Sequence, residues 1–118
     1  MDYLNKEHER RFQYLIEEDH TCASDKERQS LFYILAGNRD LYEKRRFVYD
    51  SQEHCIIPRL RQRGKGVDFS SGIKALVHLG FNLYNGRNQK DASVWDIFSS
   101  LDEENRKLAW NAIQIRFM

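Results

Sequence analysis

Apolar residues along most of this chain recur every three or four positions, the spacing that places them on one face of an α-helix. The first such segment runs from about residue 6 to residue 18, and Asn5 is predicted to cap its N-terminus. A second helix is predicted to open at Ser24, which forms a capping box with Glu27, and to end at Gly37 in a left-handed conformation. The start of the chain is therefore expected to fold as two helices.

A capping residue and an internal glycine mark the next two helices. Asn38 is placed to cap a third helix, and a fourth is predicted to follow Ser70 and to stop at residues 85–86. Three apolar residues of the third helix are expected to point inward: Leu41, Phe47 and Val48. Five residues form the inward face of the fourth: Ile73, Leu76, Leu79, Gly80 and Leu83. Because glycine inside a helix costs about 1 kcal/mol relative to alanine, Gly80 indicates that another helix approaches closely. The fourth helix is predicted to be the central one.

Two shorter periodic segments complete the chain. The fifth helix is predicted to be capped by Asp91 or Ser93, and a second capping box, from Ser100 to Glu103, opens the last helix. The inward positions of the fifth are Val94, Ile97, Phe98 and Leu101. Those of the last helix are Leu108, Ala109, Ala112, Ile113 and Phe117. Six phenylalanines thus fall at predicted core positions: Phe12, Phe32, Phe47, Phe81, Phe98 and Phe117.

The helical period is interrupted at residues 50–69. Residues 55–57 are a short β-prone run stopped by Pro58, too short to distinguish a strand from an extended loop. We predict a mainly α fold: a compact single-domain bundle of five to six helices over residues 1–118. Residues 50–69 form an irregular basic insertion between the third and fourth helices, and a small β-hairpin there is the alternative.

Composition excludes several classes of protein. Of the 118 residues, 41% are hydrophobic and 31% charged, which argues against both a disordered chain and a membrane protein. The first 20 residues lack the apolar core of a signal peptide, and no apolar run is long enough to cross a membrane. Two cysteines cannot build a disulfide scaffold. We therefore expect a cytoplasmic protein.

Charge is unevenly distributed, although the net charge is only +1. Residues 44–65 carry a net charge of +5. Their basic side chains are Lys44, Arg45, Arg46, Arg59, Arg61, Arg63 and Lys65. The segment is either a solvated basic face and loop, or a contact surface for an acidic protein or a nucleic acid. Arg45 and Arg46 are predicted to lie on the third helix, which keeps the nucleic-acid interpretation open.

Trp95 and Trp110 lie off the main apolar stripes of their helices. One interpretation is that they close a second layer of the core. The other is that they are exposed anchors of an interface, where tryptophan is over-represented. We keep both residues as candidate binding residues.

Recognisable catalytic and cofactor motifs are absent from the sequence. Two histidine–cysteine pairs, His20 with Cys22 and His54 with Cys55, lack the two- to four-residue spacing of zinc knuckles. We interpret them as buried free cysteines and surface histidines. No catalytic residue, metal or cofactor is predicted, and the protein is not expected to be an enzyme.

Four stretches resemble a small uncharacterised protein family of Gram-positive bacteria and their phages. They are residues 5–8 (NKEH) with 11–12 (RF), residues 31–38 (LFYILAGN) with 40–42 (DLY), residues 81–86 (FNLYNG) and residues 96–105 (DIFSSLDEEN). The resemblance covers nearly the whole chain and implies no activity. It implies a mobile-element context, in which short proteins often bind and inhibit a host protein.

These observations predict a non-enzymatic protein-interaction domain whose partner has an acidic surface. The resemblance suggests a phage- or mobile-element-encoded modulator or inhibitor of a host or defence protein. The alternative is a nucleic-acid-binding protein that acts through residues 44–65.

Overall fold

A computed structural model describes residues 1–58, 69–90 and 92–118. Its elements, in chain order, are α1 (Lys6–Asp19), α2 (Lys26–Gly37), α3 (Arg39–Glu43), a 3₁₀ turn (Arg45–Phe47), β1 (Tyr49–Asp50), β2 (Cys55–Ile56), α4 (Ser71–Asn85), α5 (Val94–Ser99) and α6 (Glu103–Phe117). The mainly α bundle is confirmed, with six helices in the described part of the chain. Between α3 and α4, β1 and β2 form an antiparallel hairpin that pairs Tyr49 with Ile56.

The central helix is α2, not α4 as predicted. Every residue from 30 to 36 is buried, and α2 packs against α1, α4 and α6. Its seven consecutive buried positions leave no polar face in that stretch, so the helix must be covered on all sides. The apolar residues of α4 recur with the helical period, so the sequence alone reveals them. The burial of α2 depends on helices that are distant in the sequence.

Side-chain caps fix most of the helix starts. Asn5 and Asn38 cap α1 and α3 as predicted, accepting from the backbone N–H groups three residues on, at 2.8 and 3.0 Å. Ser70 caps α4, and Ser93 caps α5 in a capping box with Asp96.

Two of the predicted capping boxes begin too early in the sequence, one by one residue and the other by two. The N-cap of α2 is Asp25 rather than Ser24, and the N-cap of α6 is Asp102 rather than Ser100. In each case an aspartate follows the serine closely, and its carboxylate accepts from the backbone N–H three residues further on. Aspartate and serine cap about equally well, so the local pattern could not decide between them.

Gly37 and Gly80 both permit close helix packing. The prediction that Gly37 ends α2 in a left-handed conformation is wrong, since Gly37 is helical and Asn38 follows with an extended backbone. A Cβ atom at Gly37 would lie 2.2 Å from Leu108 Cδ1, so α6 approaches α2 at this point. At Gly80 a Cβ atom would lie 2.9 Å from Leu31 Cδ1, which confirms the predicted close approach.

The third helix is shorter than predicted. It ends at Glu43, so Arg45 and Arg46 lie on the 3₁₀ turn and not on α3. The chain then enters β1, because Val48 and Tyr49 are β-prone and both become buried. Among the inward positions predicted there, Phe47 is only half-buried.

Two residues predicted to be in the core are exposed. Val94 is the first residue of the six-residue helix α5, and Phe117 is the last residue of α6; their exposed fractions are 75% and 67%. Both occupy helix ends, and there the correct helical period did not lead to burial.

His8 is buried near the N-terminus of α1 as a neutral imidazole. Its Nδ1 accepts from the Leu4 backbone N–H at 3.1 Å, which leaves Nε2–H to donate to the Tyr33 carbonyl at 2.9 Å. The ring meets Tyr3 edge-on at 5.4 Å. Burial is the main cause that lowers the pKa of His8 below its usual value.

We expect stability to fall as the pH drops below about 6.5, where the unfolded His8 gains a proton that the folded ring disfavours. The loss grows until the pH reaches the lowered pKa of the folded state. Urea unfolding of wild type and His8→Gln at pH 7.5 and pH 5.5 measures it. The free energy of unfolding should fall more in wild type, and an equal fall in both proteins would show that His8 is not responsible.

Candidate functional site

A cavity of about 200 Å³ opens between α1, α2, the 3₁₀ turn and the hairpin. Three buried side chains form its apolar floor: Leu15 of α1 and Phe32 and Leu35 of α2. Seven mostly polar residues complete its lining: Glu18, Asp19, Glu43, Arg45, Arg46, Tyr49 and Ser51. We call this cavity the arginine pocket. It is smaller than the roughly 300–1,000 Å³ of most small-molecule sites.

The carboxylates that line the arginine pocket are already engaged. Glu18 accepts from the Tyr14 hydroxyl at 3.0 Å, and Glu43 pairs with Arg39 at 3.3 Å. Asp19 is buried and accepts from several donors, described next. The acidic groups of the pocket therefore have partners within the fold.

Asp19 is the centre of a hydrogen-bond network that joins α1 to the hairpin. The Tyr49 hydroxyl donates to Asp19 Oδ1 at 3.0 Å, and His54 Nδ1 lies 2.7 Å from the same oxygen. The Thr21 hydroxyl donates to Oδ2 at 3.1 Å, and Arg28 Nε lies 3.6 Å from that oxygen. A buried carboxylate with this many partners is well satisfied.

Arg28 of α2 holds the hairpin against the helices. Its guanidinium donates to the Tyr49 hydroxyl at 3.0 Å, to the His54 carbonyl at 2.6 Å and to Asp25 at 3.1 Å. His54 adopts a left-handed backbone with a φ of 56°, which turns its carbonyl and its ring toward this network. Burial raises the pKa of Tyr49 well above its usual value, so its hydroxyl stays protonated and donates to Asp19. The network thus positions Tyr49 as one wall of the arginine pocket.

Arg45 and Arg46 are the cations at the mouth of the pocket. Arg45 lies over the Tyr42 ring, with Cζ 4.1 Å from the ring centroid, and donates to the Tyr42 carbonyl at 2.9 Å. Arg46 is exposed and lies over Phe47 at 5.0 Å. Within residues 1–58, 69–90 and 92–118, neither guanidinium has a carboxylate oxygen within 4.0 Å. Stacking on an aromatic face orients a guanidinium without neutralising its charge.

Lys44, the third candidate basic residue that the structure describes, does not line this pocket. Lys44 pairs with Asp40 at 3.3 Å and lies over Phe69 at 5.8 Å. Four others lie outside the described residues: Arg59, Arg61, Arg63 and Lys65. The structure therefore places two of the seven candidate basic residues at a cavity.

Trp95 and Trp110 are exposed, with 79% and 57% of their surface accessible. The interpretation that they close a second core layer is wrong. Trp110 and Phe117 are seven residues apart on α6 and share one helix face. An interface role for the two tryptophans stays a prediction.

In the two histidine–cysteine pairs, both histidines are exposed as predicted, whereas the cysteines differ from the prediction. Cys22 and Cys55 are exposed free thiols rather than buried ones. His54 contacts Asp19, and His20 ends α1 in a left-handed conformation. Across the part of the chain that the structure describes, no group of three potential ligands is placed to hold a metal ion.

Comparison with known proteins identifies the family but no activity. A family of unknown function, DUF6075, matches residues 1–118. The chain belongs to DUF6075. No curated protein and no solved structure matches this DUF6075 chain. In the described residues of this family member, none of the helices has the length and apolar character needed to span a bilayer.

Proposed function

We propose that this protein is a non-enzymatic interaction domain that binds an acidic surface of a partner protein through Arg45 and Arg46. One observation supports this most: both arginines line an apolar-floored cavity, and neither has a carboxylate partner among the described residues. An unpaired arginine beside apolar surface is typical of protein interfaces, where arginine is enriched. Trp95 and Trp110 are proposed as additional contacts, since large exposed aromatic side chains are common interface anchors.

Nucleic-acid binding through residues 44–65 is the alternative that the sequence raised. A duplex is read by a helix or ribbon placed in a groove and is held by a broad basic surface. Arg45 and Arg46 instead lie on a three-residue turn, and Glu18, Asp19 and Glu43 line the same cavity. Closely spaced acidic groups repel the many phosphates of a nucleic acid more strongly than they repel one carboxylate on a protein surface. We therefore favour a protein partner.

The resemblance to proteins of Gram-positive bacteria and their phages supports a more specific proposal. We propose that the protein is encoded by a phage or another mobile element and acts in the cytoplasm as a modulator or inhibitor of a host or defence protein. This part of the proposal rests on the resemblance alone.

Affinity purification with nuclease present tests the proposed function. Proteins are enriched from a lysate of the proposed Gram-positive host with tagged wild type, Arg45→Ser/Arg46→Ser or Trp95→Ser/Trp110→Ser as bait. We expect one partner to be retained by wild type and to be reduced about tenfold or more in the arginine variant, because each charged hydrogen bond contributes about 1.5–3 kcal/mol.

Arg87→Ser/Lys90→Ser is the matched control, since it removes two cations from exposed positions away from the arginine pocket. It should retain the partner. Equal retention by the arginine variant and the control would contradict the proposed function. So would nuclease-sensitive binding with a slope of log K against log[salt] of about −4 to −6, the value for five to seven phosphate contacts.

A further inference from the structure

We infer that the arginine pocket binds one bulky apolar side chain of a partner peptide, with an acidic residue beside it that pairs with Arg45 and Arg46. This inference rests on the proposed function and specifies the chemistry that the partner must present. The apolar floor contacts the apolar residue of one short peptide motif, and the two guanidiniums contact the acidic residue of the same motif.

The size of the cavity indicates a single side chain. Its volume is about 200 Å³, and a cavity of roughly 150 Å³ lined by aliphatic and aromatic residues holds one benzene molecule. A phenylalanine, leucine or methionine side chain is therefore of suitable size. Leu15, Phe32 and Leu35 supply only apolar atoms at the floor, so a polar side chain placed there would lose its hydrogen bonds to water.

The charges at the mouth indicate a negatively charged neighbour. Glu18, Asp19 and Glu43 already accept hydrogen bonds or pair with a cation inside the fold. Arg45 donates to the Tyr42 carbonyl, but neither Arg45 nor Arg46 has a carboxylate partner among the described residues. A carboxylate on the peptide would accept charge-assisted hydrogen bonds from them.

The walls of the pocket are held in place before a ligand arrives. Tyr49 is fixed by Arg28 and Asp19, and Arg45 is fixed by Tyr42. A site with ordered walls loses little conformational entropy on binding. A short segment can therefore bind without folding a larger interface.

Selection from a phage-displayed library of random seven-residue peptides tests the inference. Wild-type protein is the bait, and peptides that also bind Arg45→Ser/Arg46→Ser are removed. The inference predicts a consensus with one bulky apolar residue next to aspartate or glutamate. The synthetic consensus peptide should bind wild type and lose about tenfold or more in affinity with the arginine variant.

A substitution at the pocket mouth separates this inference from the proposed function. Ser51 is exposed and lines the pocket, so Ser51→Trp should cover the floor and weaken peptide binding. Ser99→Trp makes the same change at an exposed position of α5 and should bind as wild type. A consensus of acidic residues with no apolar position, or unchanged binding to Ser51→Trp, would overturn the pocket inference and leave the proposed function standing. If the selection yields no peptide whose binding depends on Arg45 and Arg46, the inference is overturned. Retention of the partner by Arg45→Ser/Arg46→Ser would overturn the proposed function.

Discussion

Replacing Phe81 with alanine is expected to lower the free energy of unfolding by about 3–5 kcal/mol, the cost of emptying a fully buried aromatic site. Phe81 lies on α4, is completely inaccessible to solvent and belongs to the central apolar cluster. Its neighbours can close the resulting cavity only in part. Urea unfolding followed by circular dichroism measures the loss.

Phe117→Ala is the matched control, because the same side chain is removed from an exposed position. Phe117 is 67% exposed at the end of α6, so its removal should change stability by less than about 0.5 kcal/mol. Similar losses at the two positions would show that the core is wrongly placed. The helical repeat of apolar residues, taken alone, predicts that Phe81 and Phe117 are both buried.

Replacing Asp19 with alanine is expected to cost about 3 kcal/mol, the lower end of the range for breaking a buried charged pair. The change leaves Tyr49 without its acceptor and removes the carboxylate beside Arg28 and His54. The value is at the lower end because a quarter of the Arg28 side chain and half of the His54 side chain are exposed.

The neighbouring Glu17 offers a control, since it is exposed on the last turn of α1. Glu17→Ala should be neutral or slightly stabilising, because a carboxylate near a helix C-terminus is unfavourable. Chemical denaturation of both variants gives the comparison. A loss below about 1 kcal/mol in Asp19→Ala would mean that the network contributes little to holding the hairpin.

Local sequence patterns predicted the helices and several of their caps. Asn5, Asn38 and Ser93 cap helices because their side chains accept from a backbone N–H close in the sequence. Interactions of this kind involve neighbouring residues only, and a sequence displays them directly.

Features that depend on distant contacts were missed or misassigned. Gly37 is the last residue of α2 as predicted, but it is helical rather than left-handed, and the close contact with Leu108 of α6 was not foreseen. Phe117 has the correct helical position and is still exposed. Burial depends on where the neighbouring helices end, and the helical period contains no information about that.

The candidate site was predicted in part. Charge alone selected Arg45 and Arg46, but the sequence placed them on a helix and gave no indication of the cavity beside them. The floor residues Phe32 and Leu35 looked like ordinary core positions. Asp19 was one of a run of acidic residues, and its partners come from three separate segments, so the sequence did not mark it.

Site-specific crosslinking at Gln52 shows directly whether the arginine pocket binds a partner protein. The photoreactive residue p-benzoylphenylalanine replaces Gln52, which is exposed, follows Ser51 in the chain and does not line the arginine pocket, and the protein is irradiated in living cells that express it. We predict one covalent adduct with a protein that persists after nuclease treatment and disappears when Arg45 and Arg46 are both replaced by serine. An adduct with nucleic acid, or a protein adduct that is unchanged by the two serine substitutions, would show that Arg45 and Arg46 do not bind a partner protein.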